Sequence, residues 1–208
     1  AISDELSFEA ATFAEPLGNA VRAVAQTPLA MSDSLLVVGV GIIGLLALQA
    51  AKLRTGGKII ATDVVDAKLD LAKKFGADLV LNPAKQDVVK AVREITGGTG
   101  VEHSIEVVGH QNTLRQAISS TAPGGTVTVV GLMDQFMEID AIEVVTKEIK
   151  LQGHYGYSEQ EFATALQLMT RRKVDVQPLI SKTFPLEAIA DSFEAMAIGK
   201  TMKSIITP

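Results

Sequence analysis

The chain of 208 residues carries a formal net charge of −5, 47% apolar residues, 4% aromatics, and neither Trp nor Cys. Its length and apolar share allow one sizeable core with an appendage, and its acidic balance gives no electrostatic case for nucleic acid or an anionic membrane surface. Absence of cysteine excludes disulfides and any zinc site built from thiolates within these residues.

Ser3 to Thr27 reads as two short helices, Ser7 capping the first and Pro16 in the first turn of the second. Leu17, Ala20, Val21 and Val24 recur there at helical spacing. No basic segment leads into an apolar one near the start, so no signal peptide is read and a cytoplasmic setting is the default. Met31 to Ser34 turns into a first strand, Leu35 to Val38, whose unbroken apolar run suits a strand covered on both faces. Gly39, Gly41 and Gly44 follow as G-x-G-x-x-G, opening a helix from Ile42 to Leu53. Gly39 permits the tight turn, Gly41 lets backbone approach a pyrophosphate, and Gly44 lets helix and strand pack closely. The free N–H groups at Ile42 and beyond, with the positive end of the helix dipole, suit phosphate.

A second strand, Lys58 to Thr62, ends on Asp63, about twenty residues past the last glycine, where a carboxylate would meet an adenosine ribose diol. Asp63 read alone is an ordinary solvated strand end, but strand, glycines, helix and carboxylate agree on dinucleotide binding. A carboxylate there repels a 2′-phosphate, and no Arg occurs in Val64 to Ala67, so NAD is favoured over NADP. The stretch Leu35 to Ala51 is also apolar enough to approach the lower length limit of a membrane span. Its three glycines and the soluble pattern that follows favour the turn reading.

Beyond Asp63 the pattern alternates strand and helix. A helix from Asp66 to Phe75 stops at Gly76, a strand runs from Asp78 to Leu81, and Asn82-Pro83 starts a helix from Ala84 to Ile95. A fourth strand, Val101 to Val108, leads to Gly109 and a helix from Gln111 to Ser120. Pro123-Gly124-Gly125 reads as a turn before a fifth strand, Thr126 to Val130, which ends at Gly131. Five β-α units predict an α/β fold, a doubly wound parallel sheet with ligands outside the carboxyl ends of its strands. Gly109 and Gly131 stand at such ends, either to leave room for a flat ring or simply to turn the chain.

Asp140 to Lys147 reads as a short helix and Glu148 to Tyr155 as a sixth strand. Ser158 and Glu161 form a capping box for a helix with Phe162, Ala165, Leu166 and Met169 on one face. Val176 to Phe184 looks extended. Pro185 opens a last helix, with Ile189, Phe193 and Met196 on one face and Gly199 closing it, before a strand from Met202 to Thr207.

Taken together, Glu15-Pro16-Leu17, VVGVGIIGL, KIIATDVVDAKLDLAKKFGAD, SIEVVG, PGGTVTVVG and the terminal GKTMKSIITP resemble the medium-chain dehydrogenase/reductases, specifically the zinc-dependent alcohol and polyol dehydrogenases. The resemblance implies Asp63 and Lys68 as adenosine-ribose contacts and Ile43 on the nicotinamide side. It implies Val108, Gly109, Val130 and Gly131 around the ring and Lys203 reaching the cofactor phosphate. It divides the chain into an interdomain helical segment (1–30), a Rossmann domain (31–156) and a segment returning toward a catalytic domain (157–208). Relatives carry most zinc ligands on that separate domain. Glu15 resembles a position that approaches the catalytic zinc in polyol dehydrogenases, or it simply favours a helix N-terminus. One carboxylate cannot hold a catalytic zinc, which takes three protein ligands, and His103, His110 and His154 show no ligand spacing.

The function implied is the NAD-binding half of an oxidoreductase acting on a secondary alcohol or polyol, zinc-assisted in the full-length enzyme and inactive as this half alone. The alternatives are a stand-alone NAD(H)-binding module and a zinc-free quinone-reductase-like enzyme. A reading frame upstream of Ala1 encoding Cys and His-Glu ligands would discriminate. Relatives pair the edge strand equivalent to 148–155 across a two-fold axis, which implies a homodimer, unless Lys150 keeps that edge solvated.

Overall fold

Strand β1 (Leu35–Val38) is buried throughout, Leu35 and Val37 in one apolar cluster and Leu36 and Val38 in another. An uninterrupted apolar strand needs cover on both faces, and helices supply it. The computed structural model describes residues 2–3, 5–132, 134–197 and 201–208. Within them β1, β2 (Ile59–Thr62), β3 (Leu79–Leu81), β4 (Val101–Glu106), β5 (Thr121–Val129) and β6 (Lys150–Gly153) form a parallel sheet in the order β3-β2-β1-β4-β5-β6. This is the doubly wound arrangement expected. Strand order reverses at β1 and β4, which leaves a crevice beyond their carboxyl ends.

Helices α2 (Ala14–Gln26), α3 (Ile42–Lys52), α4 (Asp66–Lys74) and α8 (Glu159–Thr170) pack on one face of the sheet. On the other lie α5 (Val88–Ile95), α6 (Gln111–Ser120) and α7 (Ala141–Thr146). A short α1 (Phe8–Ala11) precedes them, capped by Ser7, whose Oγ accepts from Ala10 N. The strongly polar residue inside the 35–51 run, Gln49, is buried. Its amide donates to Asp175 O at 3.0 Å and accepts from Asp175 N at 2.8 Å, tying α3 to the chain beyond α8. No helix among the described residues is long and apolar enough to cross a membrane.

Several boundaries differ from the sequence reading. The helix expected from Ala84 begins at Val88, because Asn82 accepts from Ala84, Lys85 and Gln86 in a turn and Asp87 then caps α5. Strand β4 stops at Glu106 rather than Val108, since the Glu106 carboxylate turns back onto the next two N–H groups it can reach. Pro123-Gly124-Gly125 is a bulge inside β5: Val101 pairs with Thr121, then His103 with Thr126. The sixth strand is four residues, not eight, because Glu148, at φ +53°, still belongs to the turn out of α7, and the chain after Gly153 leaves the sheet edge.

Val176 to Phe184 is only partly extended, with a 3-10 turn at Gln177–Leu179 before β7 (Ile180–Pro185). Pro185 ends that strand, a second 3-10 turn follows, and α9 (Ile189–Ala197) begins four residues after the proline. Strand β8 (Lys203–Thr207) pairs with β7 in a separate parallel sheet. Ile189, Phe193 and Met196 do share a helix face, but it is uncovered by the described residues, and Ser192 is what α9 buries. Gly199, expected to close that helix, lies outside the described residues.

Candidate functional site

The three glycines differ in backbone conformation and in what surrounds them. Gly39 takes φ +88°, a conformation that L side chains resist, and donates its N–H to Thr62 O at 2.8 Å. Gly41 precedes α3 with a Cβ position that meets nothing within 4 Å, so the space above it is open to a ligand. At Gly44 a Cβ would lie 2.0 Å from Gly39 O, which sets how closely α3 approaches β1. The N–H groups of Ile42, Ile43 and Gly44 precede the first intrahelical bond, Leu45 N to Gly41 O, and have no helical acceptor.

Asp63 follows β2 across from this turn. Its Oδ2 accepts from Val40 N and its Oδ1 from Val65 N, both at 3.0 Å, and Lys68 Nζ stands 3.9 Å from Oδ2. The carboxylate is thereby fixed beside the glycine turn, with lone pairs on each oxygen still free to accept from hydroxyls. A cleft of about 680 Å³ opens between these groups. It is lined by Gly39, Gly41, Ile43, Gly44, Asp63, Lys68 and Val108 of the expected set. Ile42 contributes its backbone while its half-buried side chain packs against the core. Gly109, Val130 and Gly131 lie just behind the wall: a Cβ on Gly131 would sit 1.9 Å from Gly109 N, so both loops touch through backbone.

Two expected residues stand elsewhere. Lys203 does not line the cleft. Its ammonium donates to Thr12 O at 3.1 Å and lies 4.9 Å from the Phe13 ring centroid, and burial holds its pKa below the ordinary lysine value against the opposing Glu15 charge. Glu15 is exposed in the first turn of α2 and accepts from Asn19 Nδ2 at 2.9 Å. Among the described residues no group of three or more His, Cys, Asp or Glu could hold a metal ion. The histidines are apart from one another. His103 bonds Asp33 at 3.2 Å, His110 caps α6, and His154 contacts Gln26 at 2.9 Å. Burial, reinforced by the Arg22 charge, pushes the His154 imidazole below its ordinary pKa.

Sequence reasoning missed Asn112, Thr113 and Gln116, which line the cleft from the first turns of α6. Their signal was available: Asn112 and Gln116 are four apart on a helix that starts at the crevice.

A family model described as zinc-binding dehydrogenase matches residues 43–171. The chain belongs to that family. It is 30% identical over 208 residues to sorbitol dehydrogenase of Bos taurus, covering 99% of this chain and 58% of the relative. It is 34% identical over 200 residues to L-threonine 3-dehydrogenase of Pyrococcus furiosus, covering 95% and 57%. The crystal structure of 2R,3R-butanediol dehydrogenase from Bacillus subtilis superposes with a TM-score of 0.91 at 33% identity, covering all of this chain and 60% of that one. The chain thus spans less than two thirds of the length of each of these relatives. The resemblance read from SIEVVG, PGGTVTVVG and the glycine fingerprint holds.

Proposed function

We propose that this chain is the NAD(H)-binding portion of an oxidoreductase that moves a hydride between a secondary alcohol or polyol and NAD. The observation that carries the reading is the pairing, across one cleft, of the fixed Asp63 carboxylate with the unblocked N-terminus of α3. Ile42, Ile43 and Gly44 would donate N–H groups to a pyrophosphate, and Asp63 with Lys68 would hold the adenosine ribose. Val108, Gly109, Val130 and Gly131 would shape the far end around the ring, and the bound nicotinamide would supply the hydride chemistry. The described residues do not by themselves make a zinc site, so no step is assigned to a metal, and Glu15 is proposed only as an approach to one held by other residues. Relatives named for sorbitol, threonine and butanediol support an alcohol-type substrate. Titration of the chain with NADH and NADPH, followed by the fluorescence of the reduced nicotinamide, tests the reading. NADH is expected to bind more tightly, and tighter NADPH binding would overturn the cofactor assignment.

The same reading includes a homodimer through the free edge of β6. This strand pairs only with β5 among the described residues, and Leu151 is exposed on it. Because His154 N bonds Val129 O, alternation along the strand turns the Leu151 and Gly153 N–H groups toward the open edge. Leu151→Pro therefore removes an edge donor while sparing the β5 ladder. Sedimentation at tens of micromolar is expected to show a dimeric parent and a monomeric proline variant. A monomeric parent, or a variant that dimerises as well as the parent, would count against edge pairing.

A further inference from the structure

Glu106, the last residue of β4, is completely buried, and among the described residues no cationic side chain lies within ion-pair distance of it. Burying a carboxylate without a counter-ion is costly unless donors surround it. Here they do. Its Oε1 accepts from Val108 N and Gly109 N, both at 2.9 Å, and from Thr113 Oγ1 at 2.8 Å, while Oε2 accepts from Gly109 N at 3.1 Å. Gly109, at φ +81°, lets successive N–H groups converge on the anion. The backbone of the same residue holds the neighbouring strand end, since Glu106 O accepts from Val130 N at 2.8 Å and from Gly131 N at 3.2 Å.

One residue thereby joins the β4 turn, the start of α6 and the end of β5. The consequences reach the cleft wall. Val108 is pressed over Gly39, where an added Cβ would meet its Cγ2 at 2.4 Å, and Gly109 is pressed against Gly131. Strand order fixes which part of a ligand this wall serves. With a pyrophosphate at the α3 N-terminus after β1 and adenosine on Asp63 after β2, the other half of a dinucleotide lies over β4 and β5. Resting on the cofactor reading above, we propose that Glu106 is a positioning residue for the nicotinamide half of the site, setting the wall that the ring meets without touching it.

A glutamine at this place could accept through one oxygen, but its NH₂ would face the Gly109 N–H, donor against donor. Glu106→Gln is therefore expected to weaken NADH binding at least about tenfold while ADP-ribose, which lacks the ring, changes by less than about twofold. Peptide-level hydrogen exchange over 106–113, without ligand, is expected to speed up in the variant while β1 and α3 keep their protection. A general loss of structure would instead weaken both ligands together. If Glu106→Gln does not fold, Glu106→Asp, which keeps the charge and shortens the reach, is measured in the same way. Equal losses on NADH and ADP-ribose, or unchanged exchange over 106–113, would overturn the proposal. A parent chain that binds neither ligand would overturn the cofactor reading first, and this one with it.

Discussion

Asp63→Gly is expected to weaken NADH binding roughly 30-fold, the equivalent of about 2 kcal/mol, which is the worth of one hydrogen bond to a charged group. The carboxylate is already fixed by Val40 N and Val65 N, so on the proposed reading it would meet a ribose diol without first losing side-chain freedom. NADPH binding is expected to change little or to improve, because the variant removes a negative charge facing a 2′-phosphate and leaves Lys68 without its carboxylate neighbour at 3.9 Å. Calorimetric titration of parent and variant with both cofactors measures the change in preference. An unchanged NADH affinity would remove Asp63 from the site.

Gly44→Ala and Gly41→Ala separate two roles within one motif. At Gly44 the added Cβ falls 2.0 Å from Gly39 O and 3.0 Å from Gly39 C, backbone atoms that no rotamer change can move aside. Gly39 cannot retreat easily, because its N–H is bonded to Thr62 O and Val108 lies against its other side. The alanine's better helix propensity, about 1 kcal/mol, opposes a steric cost that is larger, for a net loss of about 2–4 kcal/mol of stability. NADH binding is expected to fall with it as α3 shifts from the turn. At Gly41 the Cβ meets open space, so stability in urea should stay close to that of the parent while the methyl obstructs a pyrophosphate and binding is lost. Urea midpoints read beside NADH titrations distinguish the two. A Gly44→Ala chain as stable as the parent would contradict the close packing of helix on turn.

What the sequence determined by itself was local and periodic: an unbroken apolar strand, a glycine turn, a helix and a carboxylate at a fixed distance. Each is encoded within about thirty residues by side-chain pattern and backbone freedom, so the cradle of Gly39, Gly41, Gly44 and Asp63 was legible. The alternation of strands and helices likewise announced a parallel sheet, and the handedness of β-α-β crossovers leaves few ways to wind it. Tertiary structure decided the rest. Pro123-Gly124-Gly125 reads as a turn in isolation, yet pairing with β4 on either side makes it a bulge within one strand. Glu148 looks like strand until the turn out of α7 claims it. Lys203, which the resemblance aims at a cofactor phosphate, rests on Thr12 O and the Phe13 ring, groups nearly two hundred residues away along the chain. Glu106 shows the difference most sharply. In sequence it is a lone charge in the strand SIEVVG, and only folding brings Val108, Gly109 and Thr113 around it, because the energy of a buried carboxylate depends on donors that no local pattern specifies.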